Sequence, residues 1–412
     1  MTTAEPTSLL DSRLRWTTIG ALSMVLLSAF EAMAVTTIMP AVSRDLDGAA
    51  LYSVAFSATL AASIVGMVVA GRWSDRSGPG APLLTAVGAF LAGLLAAGFA
   101  TTMETFLVGR FLQGLGGGAL TVCLYVVVAR LYPPALHPRV FGAFAAAWVI
   151  PSMVGPYIAG VVADRISWHW VFLGVAALVV LALVSMASAL REIFADGARG
   201  REDSEGGEAQ PTPAIGSGLA VLLALVVVAG LLTLGTSAEV VSGNASWLLA
   251  GAAVVVVLVA VRPLLPRGTL VARPGLPATI LIRGTIAAAY FGTEVYLPLM
   301  LQREYGLSSS GAGLILTVGA LSWATGSNVQ ARLVNVPPQR ILTIGACLVA
   351  TGIAVQIATA AADLGPWVAM VGWLVAGLGM GTSFPRITTL VLAYSSRADQ
   401  GANSSALSIS DA

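Results

Sequence analysis

The sequence predicts an all-α, polytopic membrane protein built from two pseudo-symmetric helical halves. Three observations carry that prediction: an excess of apolar residues, a series of long apolar runs, and a one-sided distribution of arginine. Of the 412 residues, 57% are hydrophobic and 10% charged, whereas a soluble domain has roughly 45 to 50% apolar and about 25% charged residues. Twelve runs fall at 16–38, 51–71, 82–100, 104–130, 141–163, 169–190, 217–236, 247–263, 277–300, 309–330, 340–361 and 366–393, each near the roughly 20 residues that cross the hydrocarbon layer. All 21 basic residues are arginine. With the N-terminus in the cytoplasm, the inner loops hold fifteen of them and the outer loops only Arg44, Arg165 and Arg303, the bias expected of a correctly counted set of crossings. Arg13 and Arg15 precede the first run without a small-residue cleavage site, so that run is read as a retained helix and not a signal peptide.

Taken in order, the first six runs form an N-terminal half, 1–190. Residues 191–216 follow as a polar cytoplasmic linker with mixed charge and many Gly and Pro, a composition that cannot bury a core. An even six-plus-six division is then contradicted by internal repeats. Gln113-Gly-Leu-Gly-Gly-Gly118 matches Ala376-Gly-Leu-Gly-Met-Gly381 at a separation of 263, and Met39-Pro40 matches Leu297-Pro298 at 258. Gly71-Arg-Trp-Ser-Asp-Arg76 and Ala86-Val-Gly-Ala-Phe90 have degraded counterparts beginning at Gly326 and Thr343, 255 and 257 residues on. A nearly constant offset marks a duplicated unit. It makes 217–263 an inserted two-helix segment and 277–412 a C-terminal half. Gly142-Ala-Phe-Ala-Ala-Ala147 pairs with Gly401-Ala-Asn-Ser-Ser-Ala406 at 259, so the expectation is four helices and the start of a fifth, the half being truncated from a fourteen-helix protein. The alternative is a twelve-helix protein with 394–412 as a polar tail.

Three segments carry chemistry. After the second run, Gly71-Arg-Trp-Ser-Asp75-Arg76-Ser-Gly78 combines an acid, arginines and turn glycines. In the fourth, Arg110, Gln113, Gly114 and Gly117 recur at one-face spacing, and Gly114 with Gly118 forms a small-xxx-small pair for close helix approach. In the fifth, Gly155-Pro156 precedes Ala159-Gly160, and proline inside a helix removes a backbone hydrogen bond.

In this order and spacing the three resemble signatures of the major facilitator superfamily: its cytoplasmic gating loop, its RxxQG segment, and the GP-containing kink of its antiporter branch. Pro79-Gly80 replaces the usual basic pair, Pro151 stands where the kink motif has glycine, and Ala159 replaces one glycine of its final pair. With the inserted helix pair, the chain is similar to the fourteen-helix drug:proton antiporters. That resemblance implies two six-helix halves, substrate bound between them and alternately exposed, a charge latch at Gly71, Asp75, Arg76 and Gly78, and an antiporter kink at Gly155, Pro156 and Gly160. It implies no cofactor, the proton gradient supplying the energy.

Inside the runs, ionisable residues are Glu31, Arg110, Arg283, Glu294 and Arg386, each a functional candidate because an intramembrane charge needs a partner or a cavity. Relative to the matched prolines, Glu31 lies nine residues deep and Glu294 four, a stagger of about 7.5 Å at 1.5 Å per residue. Glu31 is the expected proton carrier: an apolar setting favours its neutral acid and a nearby Arg110 favours its carboxylate, so alternation between the two takes up and releases a proton. A static Glu31–Arg110 pair that only holds helices is the alternative. Glu294 either reaches an outer vestibule or pairs with Arg283.

Phe30, Gln113, Tyr290 and Phe291 are candidate substrate-cavity residues, with Tyr125, Trp148 and Trp373 as further aromatics. Cys123 and Cys347 fall in apolar runs and His137 and His169 in or beside loops, leaving no metal-ligand spacing. No GxxxxGK[ST] loop is present, which excludes that route to ATP hydrolysis, and no nucleophile or cofactor motif points to an enzyme. The expected protein is therefore a monomeric, multi-pass cell-membrane antiporter, N-terminus cytoplasmic, exporting lipophilic small molecules against protons, its other partner the lipid bilayer and not nucleic acid. Proton-coupled movement of one metabolite or lipid is the alternative within transport. A non-transporting sensor or scaffold is the alternative outside it.

Overall fold

The computed structural model describes residues 8–186 and 244–411, apart from 12–13, 134–135, 334, 395–402, 404–405 and 408–409, together with isolated positions between 187 and 243. The linker 191–216 and most of the first inserted run lie outside the described residues. Regular structure among the described residues is helical: α1 (Arg15–Asp45), α2 (Tyr52–Ser77), α3 (Gly80–Gly98), α4 (Met103–Leu131), α5 (His137–Arg165), α6 (His169–Ser185), α7 (Asn244–Val261), α8 (Leu276–Arg303), α9 (Ser309–Arg332), α10 (Pro338–Ala362) and α11 (Pro366–Tyr394). Asn403, Ala406, Leu407, Ser410 and Asp411 are also helical. Seven of these helices (α1 to α5, α10 and α11) are long and apolar enough to cross a membrane by themselves.

Local chemistry sets the ends. Thr102 Oγ1 accepts from the Thr105 N–H to start α4, and Ser308 Oγ accepts from Gly311 to start α9, each satisfying a donor with no partner inside its helix. Gly78 ends α2 at φ 78, a conformation that a residue with a Cβ adopts at a cost. Two ends differ from expectation. α1 runs through Pro40 to Asp45, because an interior proline removes one donor without breaking every neighbouring bond. α2 runs to Ser77, so Gly71 to Arg76, expected as a loop, are the last helical turns. Nothing in that segment breaks a helix before Gly78.

The chain forms two compact units. Unit 1 comprises Met1–Ala32, Val42–Pro151 and Ile166–Val257; unit 2 comprises Met33–Ala41, Ser152–Arg165 and Leu258–Ala412. In unit 1, α4 packs chiefly on α2 and α3. Side chains at Gly114 and Gly118 would collide with the Thr59 and Ser63 carbonyls of α2, and one at Gly66 with the Leu115 carbonyl of α4. On the opposite side of α4, Gly93 of α3 sits against the Gly109 carbonyl and the Gln113 N–H. These backbones approach as closely as small-residue packing permits.

Unit 2 repeats the plan: α11 packs on α9 and α10. Gly377 and Gly381 abut the Gly319 and Trp323 carbonyls, Gly326 abuts the Leu378 carbonyl, and Gly352 meets the Gly372 carbonyl and Ala376 N–H. The fourth helices therefore match at an offset of 263, as their sequence does. The second and third match at 260 and 259 (Gly66 with Gly326, Gly93 with Gly352), which moves the sequence registers of 255 and 257 by five and two residues. Short matches slide easily along helices rich in Gly and Ala; a backbone contact has one register.

Candidate functional site

In unit 1 the carboxylate of α1 meets the guanidinium of α4. Glu31 and Arg110 are 5% and 4% exposed, so neither charge is screened by solvent. Arg110 Nη1 donates to Glu31 Oε1 and, at 2.7 Å, to Gln113 Oε1; its Nε donates to the Ala55 carbonyl of α2 at 3.4 Å. Thr59 Oγ1 in turn donates to the Arg110 carbonyl at 3.2 Å. Three helices thus converge on one ion pair. The Gln113 amide nitrogen and the Ser28 hydroxyl, one turn before Glu31, are buried without a hydrogen-bond partner. A buried unpaired donor costs about 1–3 kcal/mol, so this cluster has polar capacity that the fold itself does not use. Phe30, the residue before Glu31, is half-buried. The one-face reading of α4 holds for Arg110 and Gln113, whereas Gly114 is committed to α2 and Gly117 lies nearest the Phe90 ring of α3.

Unit 2 holds a second, different ion pair. Arg283 of α8 grips Asp411 in bidentate fashion, Nε to Oδ1 at 2.6 Å and Nη2 to Oδ2 at 2.7 Å. Its Nη1 donates to the Phe384 carbonyl at 3.2 Å and to Thr388 Oγ1 at 3.1 Å on α11, and its Cζ stands 3.7 Å from the centroid of the Phe384 ring. This decides the alternative left open above: the partner of Arg283 is Asp411, not Glu294. Sequence reasoning passed over Asp411 because it stands in a polar stretch at the far end of the chain. The only signal was an intramembrane arginine lacking an acid at i ± 3 or i ± 4 on its own helix.

Position 373 is the counterpart of Arg110 at the fourth-helix offset, and there unit 2 carries a buried tryptophan. Trp373 stacks on Tyr290 at 4.4 Å, with Trp323, Phe291 and Phe384 extending the cluster. Tyr290 is buried and Phe291 half-buried. Where one half has a charge pair, the other has an aromatic stack.

The motif segments fare differently. Gly71 has ordinary space around it, Val122 Cγ1 being the nearest atom at 3.6 Å from a notional Cβ. The side chains of Asp75 and Arg76 lie outside the described residues. Ser74, beside them, accepts from Arg130 Nη2 through its carbonyl at 3.2 Å, an arginine at a helix C-terminus. In α5, helical throughout, Gly155, Pro156 and Gly160 are buried. A Cβ at Gly160 would strike the backbone of Ser309 and Ser310, and one at Gly313 the Pro156 carbonyl. Asp164 then caps the same helix start, accepting from the N–H groups of Ser309 and Ser310 at 3.1 and 2.9 Å. Within unit 2 the end of α5 and the beginning of α9 are therefore joined backbone to backbone, a role for Asp164 that sequence reasoning missed. Both cysteines are free, and no cluster of metal-ligating side chains occurs among the described residues.

One buried and one part-buried ion pair thus lie within a duplicated set of apolar, membrane-spanning helices. The family model of the Major Facilitator Superfamily matches residues 21–411, and the chain belongs to that superfamily. It is 26% identical over 384 residues to the Multidrug transporter protein MdtP of Bacillus subtilis, covering 90% of this chain and 67% of that one. It is 32% identical over 158 residues to Multidrug resistance protein 3 of the same organism, covering 38% of this chain and 31% of that one. The matches thus span between about a third and two thirds of these relatives' lengths. Among solved structures, a peptide transporter POT in complex with sulfate superposes with a TM-score of 0.67 at 16% identity, covering 96% and 85% of the two chains. The xylose transporter XylE from E. coli, in a partially occluded inward-open conformation, gives 0.59 at 14%, covering 96% and 90%. At these identities the likeness is one of fold.

Proposed function

We propose that the protein exports lipophilic, drug-like small molecules across the cell membrane in exchange for protons, with its N-terminus in the cytoplasm. The observation that carries this reading is the buried Glu31–Arg110–Gln113 cluster. A carboxylate and a guanidinium removed from water hold each other strongly, and breaking such a pair by removing one charge is expensive. A proton arriving at Glu31 does that at will: the neutral acid frees Arg110, and the helices holding the two, α1 and α4, can then separate. Loss of the proton restores the pair. The unpaired Gln113 amide and the Phe30 ring are the substrate contacts of unit 1, a hydrogen bond and an apolar surface, and Tyr290 and Phe291 are those of unit 2. Gly71, Asp75, Arg76 and Gly78 act as the cytoplasmic latch, and Gly155, Pro156 and Gly160 as the antiporter kink. Support for a drug-like substrate comes from relatives named Multidrug transporter protein MdtP and Multidrug resistance protein 3.

The test is Glu31→Gln in proteoliposomes, with ethidium as probe. Ethidium binding is expected to survive while accumulation driven by a pH gradient is lost. Proton-driven accumulation equal to that of the unaltered protein sinks the carrier role of Glu31.

A further inference from the structure

We propose that Asp411 is a second proton-binding carboxylate of the transport cycle, with Arg283 as its ionic partner. This rests on the proton-coupled reading above and extends it to a site in the other half of the repeat. Arg283 and Glu294 are eleven residues apart on α8, roughly 16 Å along the helix, so Asp411, held at Arg283, and Glu294 stand at different depths. Given a cytoplasmic N-terminus, Asp411 stands toward the inner face and Glu294 toward the outer.

Two features separate this pair from a merely structural bond. Arg283 already has a second set of partners, the Phe384 ring and carbonyl and Thr388; a proton on Asp411 therefore leaves the guanidinium held by a cation–π contact and neutral acceptors, without stranding it in the bundle. The bond also joins α8 to a helical segment that approaches it very closely. Gly284, next to Arg283, leaves 3.1 Å between a notional Cβ and the Ser410 carbonyl, so weakening the pair frees one backbone to slide on another. Among the described residues, Arg283 is the charged group that faces Asp411 from α8. α11 contributes Thr388 and Phe384 to the same cluster, neither of them charged. The step balances simply: one proton adds to the Asp411 carboxylate, the ion pair dissolves, and the proton leaves when the carboxylate rejoins Arg283.

The experiment reconstitutes the full chain in liposomes and measures the steady-state ethidium gradient over a series of imposed pH gradients, the slope giving protons exchanged per substrate. Asp411→Asn is expected to transport with a slope lower by about one proton per ethidium. Asp411→Glu is expected to keep the original slope with a displaced pH midpoint. An unchanged slope in Asp411→Asn overturns the proposal and leaves the bond a static lock. If Asp411→Asn does not accumulate, Asp411→Glu decides: a lock predicts the original midpoint and a lowered melting temperature. A slope of zero in the unaltered protein would remove proton coupling altogether, and this site with it, an outcome distinct from failure at Asp411 alone.

Discussion

Arg110 directs its guanidinium to three acceptors on three helices, Glu31, Gln113 and the Ala55 carbonyl, and this makes it the residue whose loss is most informative. Arg110→Gln leaves Glu31 buried and unpaired, and a cost of about 3–5 kcal/mol is expected. The double variant Glu31→Gln with Arg110→Gln should recover much of that, because two neutral amides can hydrogen-bond. Thermal unfolding of the four proteins in detergent measures the difference, and additive losses would show that the two side chains are not coupled. At this scale the sequence was legible where chemistry was scarce: a glutamate and an arginine in apolar runs stand out because lipid tolerates neither alone. Asp411 was illegible for the converse reason, since one acid in a polar stretch looks like any other.

At the scale of helices, glycine contacts set how closely α2, α3 and α4 approach, and the expected effects differ sharply by position. Gly118→Val drives a branched side chain into the Ser63 carbonyl, and overpacking of this kind costs about 1–3 kcal/mol. Gly71→Ala meets only Val122 at van der Waals distance and should stay within about 0.5 kcal/mol, the range of unconstrained sites. Melting temperatures side by side test the contrast; equal losses would refute the packing account. Asp164→Ala removes the acceptor for the Ser309 and Ser310 N–H groups, with an expected loss of about 1 kcal/mol typical of a helix cap. Asp164→Asn, which keeps an acceptor oxygen, should restore part of it. Identical losses in both variants would mean that the carboxylate's charge, and not the cap, is what matters.

For the whole molecule, the arginine distribution makes a prediction that needs no site. In a background lacking Cys123 and Cys347, a cysteine at exposed position Leu10 is expected to resist a membrane-impermeant maleimide on intact cells, while one at exposed Glu304 is labelled. The reverse pattern would invert the assigned orientation and move the positive-inside argument with it. The repeat supplies the other property of the whole: α4 and α11 carry the same glycine pattern against the same neighbours, yet one carries Arg110 and the other Trp373 at the equivalent position. The duplicated scaffold is common to both halves, and its chemistry is not.

The sequence by itself determined the helical class, the boundaries of nearly every described helix to within a few residues, the duplication, and the presence of charges inside apolar runs. Those properties depend on composition along the chain: apolar length answers to membrane thickness, and glycine spacing to helix period. Only the tertiary structure decided the register of the second and third helices across the repeat, the choice of Asp411 over Glu294 as the partner of Arg283, and the junction of Asp164 with the start of α9. Each is a contact between segments 128 or more residues apart, or between helices of nearly uniform small residues. Local pattern carries no information about such pairs; side-chain reach and backbone approach in three dimensions select them.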